Sequence, residues 1–168
     1  MKTFIGLVLF TGLSIFVTAK HKNKENIKNP VAGELSWPVE KGIVLGKFGV
    51  HQHPTAESVM FDNPGIDIQT DLNAPVRAVC KGIVSSIFNI DDSNTVVIIK
   101  HNKYFTVYNG LKNVSVKKDE KIASLENIGS VRNNIEGKPV LNFQVWKAKR
   151  KKNSPKKLNP ENWLARLD

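Results

Sequence analysis

The sequence is poor in cysteine, in long apolar runs and in acidic side chains. Cys80 is the one cysteine among 168 residues, which excludes an internal disulfide and a cysteine-based zinc cluster. The apolar run at residues 4–17 is 14 residues long, short of the roughly 20 that a membrane-spanning helix needs. We also find no repeat of 20 to 50 residues and no long amphipathic helical pattern. Disulfide scaffolds and helical repeat proteins are therefore excluded, and no stable membrane span is expected.

The composition fits one globular domain with an uneven charge. Apolar residues make up 40% and charged residues 24%, and 25 basic against 15 acidic side chains give a net charge of +10. Seven basic residues and no acid fall within one short basic loop: Lys147, Lys149, Arg150, Lys151, Lys152, Lys156 and Lys157. We interpret this loop as a solvated hairpin tip, with contact to an acidic partner, anionic glycan or lipid headgroups as the functional alternative.

The amino terminus has the pattern of an export signal. A short basic start precedes the apolar run, and small side chains at residues 17–19 suit a signal peptidase, although an uncleaved anchor is the alternative. We predict a signal peptide at 1–19, a polar tether at 20–34 and one β-domain at 35–168. The protein would then be periplasmic or extracellular and associated with the cell envelope, with no stable membrane span and no nucleic-acid partner.

Short strands punctuated by turn residues predict an all-β fold. Turn residues at 91–94 and 101–103 favour tight reversals between neighbouring strands, as in an antiparallel meander. A short terminal helix is expected at 159–167. The candidate strands are residues 42–48, 65–69, 76–80, 83–88, 95–101, 104–108, 128–132 and 141–147.

Three segments together resemble the lysostaphin/LytM family of zinc peptidases, which cut peptidoglycan cross-links. These segments are Asn-Pro-Gly-Ile-Asp-Ile at 63–68, Tyr-Phe-Thr-Val-Tyr-Asn-Gly-Leu at 104–111 and Val-Leu-Asn-Phe-Gln-Val at 140–145. Flanking landmarks such as Trp-Pro-Val at 37–39 agree in order and spacing. The resemblance covers about residues 35–164. It implies a small curved antiparallel sheet of the LytM, duplicated hybrid motif type, with a groove across one face and a short C-terminal helical turn.

The resemblance also implies that most site residues of such a peptidase are lost. Its zinc ligands correspond to Asn63, Asp67 and Asn142, and its catalytic histidines to Asn109 and Val140. Zinc in such sites needs two imidazoles and a carboxylate, and only Asp67 remains. We therefore expect no zinc, no other cofactor and no hydrolysis. Without metal, Asp67 should accept a hydrogen bond from Asn63 or from a backbone N–H.

Other candidate residues offer weaker replacements for the lost site. His51 and His53, with Asp67, form a nominal set of two histidines and one carboxylate, although exposed loop histidines beside Pro54 are the favoured interpretation. His101 is interpreted as a structural turn residue. Cys80 is interpreted as a buried structural thiol, because no His–Asp pair is placed to activate it.

A second branch of the family fits the lost residues. The sequence resembles compact, Bacteroidetes-like members of the EnvC/NlpD-type murein hydrolase activators, which keep the fold without zinc. The resemblance implies binding to a cell-wall amidase or another peptidoglycan hydrolase; a peptidoglycan-binding scaffold and, less favoured, an active zinc endopeptidase are the alternatives. The predicted partner groove contains Asn63, Asp67, Tyr104, Tyr108, Asn109, Asn142 and Gln144.

Overall fold

The computed structural model describes residues 27–53, 56–134, 136–149 and 154–166, with no side-chain description at 53, 56 and 57. Its strands are β1 (Ile43–Gly46), β2 (Gly49–His53), β3 (Ala56–Asn63), β4 (Ile66–Gln69), β5 (Pro75–Arg77), β6 (Gly82–Asp91), β7 (Asn94–His101), β8 (Tyr104–Lys112), β9 (Lys121–Ile122), β10 (Asn127–Val131), β11 (Val140–Lys147) and β12 (Lys156–Leu158). A 3-10 turn at Pro160–Asn162 is the one helical element of these residues. The all-β prediction is confirmed.

Ten of these strands form one antiparallel sheet. Its main path runs β1-β4-β11-β8-β7-β6-β9, while β10 pairs with β5 and β8, and β12 pairs with β11. The strands β2 and β3 form a separate two-stranded ribbon. Among the described residues, no helix has the length and apolar character needed to cross a membrane.

The two faces of the central sheet differ because side chains alternate along each strand. On β11, Leu141, Phe143 and Val145 are fully buried and belong to the hydrophobic core. Phe143 lies opposite Ile66 of β4 and Tyr108 of β8, and both of these are buried as well. One face of the sheet therefore builds the core. Asn142 and the residues directly opposite it in β4 and β8 point to the other face.

Each of the eight candidate strands overlaps an observed strand, and both predicted reversals connect paired strands. Asn102 takes a positive φ of 57° in the turn between β7 and β8, a conformation that asparagine tolerates well. The sequence reasoning missed β2, β3, β9 and β12. The terminal helix is shorter than expected: the Asn159 side chain caps the 3-10 turn, and Leu164 then bridges to Leu35. The predicted signal peptide lies outside the described residues.

Candidate functional site

Asp67, Asn142 and Asn109 lie side by side in the adjacent strands β4, β11 and β8. Because residues directly opposite each other point to the same face of a sheet, the three side chains share one surface. They line a groove of about 510 Å³ together with Val140. The strand register alone thus brings together three residues that are far apart in the sequence.

The walls of the groove come from both sides of this row. On the β4 side, Leu45 and Gly46 of β1 line the groove. On the β8 side, Asn94 of β7 and a segment after β10 complete the lining; its members are Arg132, Asn134, Glu136 and Lys138. None of these wall residues was predicted from the sequence. They carry no local motif, since they approach Asp67 only through long-range strand pairing.

Asn63, Asp67 and Asn142 form a hydrogen-bonded amide–carboxylate cluster. Asn63 Nδ2 donates to Asp67 Oδ2 at 2.9 Å, and Asn142 Nδ2 donates to Asp67 Oδ1 at 2.7 Å. Asn142 Nδ2 also lies 3.0 Å from Asn63 Oδ1, which accepts a further bond from the backbone N–H of Gly65. The expectation that Asn63 serves the Asp67 carboxylate is confirmed.

The direction of these hydrogen bonds follows from the donors and acceptors available. A carboxylate only accepts, so both amides must turn their NH₂ groups toward Asp67. The Gly65 N–H requires an acceptor, so the oxygen of Asn63 must point to Gly65. One orientation of the Asn63 amide meets both requirements, because its NH₂ group faces Asp67 while its oxygen faces Gly65. The hydrogen-bond partners of the Asp67 carboxylate are therefore two neutral amide N–H groups.

Zinc does not fit this donor set. Protein zinc sites use imidazole nitrogen, thiolate and carboxylate ligands, and Asp67 is the single such group in the cluster. Both Asp67 oxygens already accept from amide N–H groups, which would face and repel a cation placed there. Elsewhere in the described residues, no group of three His, Cys, Asp or Glu side chains is placed to hold a metal ion.

A hydrogen-bond ladder along β11 supports the cluster. The Trp146 indole Nε1 donates to Gln144 Oε1 at 2.9 Å, and Gln144 Nε2 donates to Asn142 Oδ1 at 2.6 Å. Each amide thus uses its oxygen as acceptor and its nitrogen as donor. Gln144 shares the face of Asn142 but is only 6% exposed and does not line the groove, so its predicted groove position was wrong and it instead orients the Asn142 amide.

Glycines allow the close approach of the strands around the cluster. A Cβ on Gly46 would overlap the Asp67 carboxylate, and a Cβ on Gly65 would overlap the backbone oxygen of Phe143. Neither glycine has a positive φ, so the requirement at these two positions is space. This explains why Asp67 can lie beneath β1.

The expected groove positions of Tyr104 and Tyr108 were wrong. Tyr108 is fully buried, and its hydroxyl accepts from the Val79 N–H at 3.0 Å. Tyr104 packs against Trp163, with 4.9 Å between ring centroids, on the core face of β8. Tyr104 and Tyr108 are separated by an even number of residues, so both side chains point to the core face of β8. Asn109 points to the opposite face, which carries the groove. Asn63 is only 5% exposed and does not line the groove itself. It contacts the groove residues Asp67 and Asn142 through hydrogen bonds.

Asn109 presents a polar atom that lacks a partner. Its Oδ1 is buried, and no described residue donates a hydrogen bond to it. A buried acceptor without a donor is unfavourable by roughly 1 to 3 kcal/mol. Asn109 lines the groove, whereas this oxygen itself is closed to solvent.

His101 and Cys80 form a neutral structural pair beneath the sheet. His101 Nδ1 lies 2.8 Å from the Lys81 carbonyl oxygen, which can only accept, so Nδ1 carries the proton. Nε2 then accepts from Thr106 Oγ1 at 2.8 Å. Burial lowers the pKa of His101 and raises the pKa of the Cys80 thiol to about 12. Cys80 Sγ lies 3.2 Å from Nδ1, which already carries its proton and so cannot act as the base that would activate the thiol.

His51 is a strand residue and not a loop residue. It lies on β2 opposite Phe61, with 5.7 Å between ring centroids, and its Nε2 is 2.8 Å from the Lys47 carbonyl oxygen. The side chain of His53 lies outside the described ones. The nominal set of His51, His53 and Asp67 therefore stays a prediction.

The basic loop connects two paired strands, as expected for a hairpin. Lys147 of β11 lies directly opposite Lys156 of β12. The side chains of Lys147, Lys149, Lys156 and Lys157 are exposed, and Lys147 Nζ lies 5.3 Å from the centre of the Tyr104 ring. Arg150, Lys151 and Lys152 lie outside the described residues.

Comparison with known proteins assigns the family. The sequence profile of peptidase family M23 matches residues 61–155, which span β3 to the end of the basic-loop connection and include Asn63, Asp67, Asn109 and Asn142. The chain belongs to peptidase family M23. The family resemblance read from the sequence is confirmed.

Individual relatives of this M23 chain are distant. An uncharacterized metalloprotease of Buchnera aphidicola is 29% identical over 135 residues, which are 79% of this chain and 34% of that protein. The M23 chain thus spans about a third of that relative. A zinc containing peptidase from Vibrio cholerae has a TM-score of 0.61 at 24% identity, over 74% of this chain and 39% of the other.

A chain from the SpoIIQ–SpoIIIAH pore forming complex is similar in structure to this M23 chain over most of the length of both. Its TM-score is 0.60 at 22% identity, with 83% of the M23 chain and 92% of the other chain covered. At these identities the structural comparisons show a shared fold. The chemistry must be argued from the side chains of this M23 chain itself.

Proposed function

We propose that this protein is an exported, catalytically inactive M23 domain that activates or regulates a peptidoglycan amidase by direct contact, in cell-wall remodelling or cell division. The observation that carries the proposal is the amide–carboxylate cluster. Asn63 and Asn142 donate N–H hydrogen bonds to Asp67 from the positions that the family resemblance assigns to zinc ligands. The proposed export rests on the amino-terminal sequence pattern.

The residues beside the cluster support inactivity. Asn109 and Val140 stand at the positions that the resemblance assigns to catalytic histidines, and both line the groove. Valine can neither transfer a proton nor stabilise an oxyanion, and an asparagine amide does not titrate at neutral pH. Restoring hydrolysis would therefore require more than a bound metal.

The groove itself supports a role in protein contact. It is about 510 Å³, open to solvent, and combines the hydrogen-bonding groups of Asp67, Asn109 and Asn142 with apolar Leu45 and Val140. A polar floor with a few apolar anchors suits an extended peptide or an amphipathic helix, for which a few residues supply most of the binding energy. An inhibitory helix of an amidase is the occupant that the family resemblance suggests.

The proposal is tested by release of dye from labelled sacculi. The purified protein should release nothing alone and should raise the release by an amidase from the same organism. Asn109→Arg should abolish this increase, because its longer side chain would fill the space that the partner occupies in the groove. Ser124→Arg, an exposed substitution between β9 and β10, is the matched control and should leave the increase intact.

Two results would favour other functions. Co-sedimentation with sacculi, without any effect on the amidase, would assign a peptidoglycan-binding scaffold. Release by the protein alone that requires zinc and stops with a chelator would assign an active endopeptidase, the activity implied by the metalloprotease and peptidase names of its relatives.

A further inference from the structure

The ten-stranded sheet has four edge strands in its described part, and three of them are guarded. β5, β9 and β12 each pair with one neighbour. β5 begins with Pro75 and ends with Arg77, β9 begins with Lys121, and β12 exposes Lys156 and Lys157. Proline and charged side chains at an edge prevent another chain from pairing with its free backbone groups.

The fourth edge strand, β1, contains no proline and no charged side chain. It consists of Ile-Val-Leu-Gly, and within the described part of the chain it pairs only with β4. Its outward side chains are apolar, with Ile43 62% exposed and Leu45 52% exposed. An exposed apolar edge strand can accept an additional strand through its main-chain groups.

The position of β1 connects this edge to the groove. The β1–β4 register shifts between Val44 and Gly46, a bulge that leaves Leu45 without a partner in β4. Bulges beside functional sites redirect side chains, and here Leu45 and Gly46 line the groove next to Asp67. A strand added to β1 would therefore run along the groove wall.

We propose that β1 accepts an extended acidic segment of a partner protein as an additional strand, with part of that segment reaching into the groove. This inference rests on the proposed function in one respect: both take the groove as a contact surface for a partner protein. Lys41 and Lys47, both exposed, flank β1, and Arg132 lies across the groove. Because Lys41 and Lys47 lie at the two ends of β1, acidic side chains on the added segment can pair with them.

A designed peptide tests strand addition directly. The probe is acetyl-Thr-Val-Glu-Val-Glu-Val-Thr-amide, titrated into the purified, isotope-labelled protein and followed by NMR shifts and amide exchange at β1. The parent peptide should bind and protect β1 amides. N-methylation of alternate peptide nitrogens, or replacement of both Glu by Lys, should weaken binding by at least about tenfold, because backbone hydrogen bonds or charge pairing are lost.

Protein variants complete the test. Ile43→Lys copies the lysine guard of β12 at a 62% exposed position, so it should weaken binding by at least about tenfold without loss of folding. Leu125→Lys, at a 48% exposed position between β9 and β10, is the matched control and should bind as the wild type does.

Four results would overturn the inference. These are no binding of the parent peptide at millimolar concentration, equal binding of the N-methylated peptide, full binding by Ile43→Lys, and a wild-type dimer that Ile43→Lys dissociates. The last result would assign β1 to a second copy. Peptide binding with no effect of the protein on an amidase would instead contradict the proposed function alone.

Discussion

Removing the Asp67 carboxylate should destabilise the fold even though the residue lines an open groove. In Asp67→Ala, the Nδ2 groups of Asn63 and Asn142 lose their common acceptor, at 2.9 and 2.7 Å. Hydrogen bonds to a charged group contribute roughly 1.5 to 3 kcal/mol each. Because Asp67 is half-buried and water can replace part of the loss, the lower end applies. The expected decrease in the free energy of unfolding is about 3 kcal/mol.

Urea denaturation followed by circular dichroism measures this decrease. For a domain of this size, about 3 kcal/mol corresponds to a fall in Tm of about 6 to 12 °C. Asp62→Ala removes an exposed carboxylate on β3 and should change the unfolding free energy by less than about 0.5 kcal/mol. If Asp67→Ala is as stable as Asp62→Ala, the cluster does not stabilise the fold and the reasoning is refuted.

Three further predictions concern the site and its support. Asn63→His with Asn142→His should introduce measurable zinc uptake by atomic absorption but no hydrolysis, since Asn109 and Val140 remain; failure to bind zinc would show that the local backbone no longer matches a metal site. Burial lowers the pKa of His101, so below about pH 6.5 the unfolded chain binds a proton that the folded chain does not, and the unfolding free energy should fall as pH decreases from 7.5 to 5. His101→Gln should reduce that slope, and an unchanged slope would contradict the buried neutral histidine. Gly65→Ala should lower the unfolding free energy by about 1 to 3 kcal/mol in urea titrations, because its Cβ meets the Phe143 backbone oxygen, and wild-type stability would contradict this packing.

Much of the sheet is predictable because half-buried strands alternate apolar and polar residues. The β6–β7 and β7–β8 hairpins follow from their turn residues and flanking β-branched side chains. The β2–β3 ribbon gave no such signal. Val50 and Met60 of the ribbon are 63% and 60% exposed, so no core imposes alternation on its sequence.

The site shows where local patterns stop being informative. The resemblance identified Asp67, Asn109 and Asn142, and the sheet register places them in one row. The prediction that Tyr108 faces the groove neglected strand parity, since Tyr108 and Asn109 are neighbours and must face opposite sides. Arg132 and Leu45 could not be predicted, because only the order of strands across the sheet brings them to the groove.

Dye release from labelled sacculi by the purified protein, with added zinc and then with an amidase from the same organism, tests the central claim most directly. The account predicts no release by the protein with zinc alone and a higher rate when the protein is added to the amidase. Zinc-dependent release by the protein alone, abolished by a chelator, would contradict it.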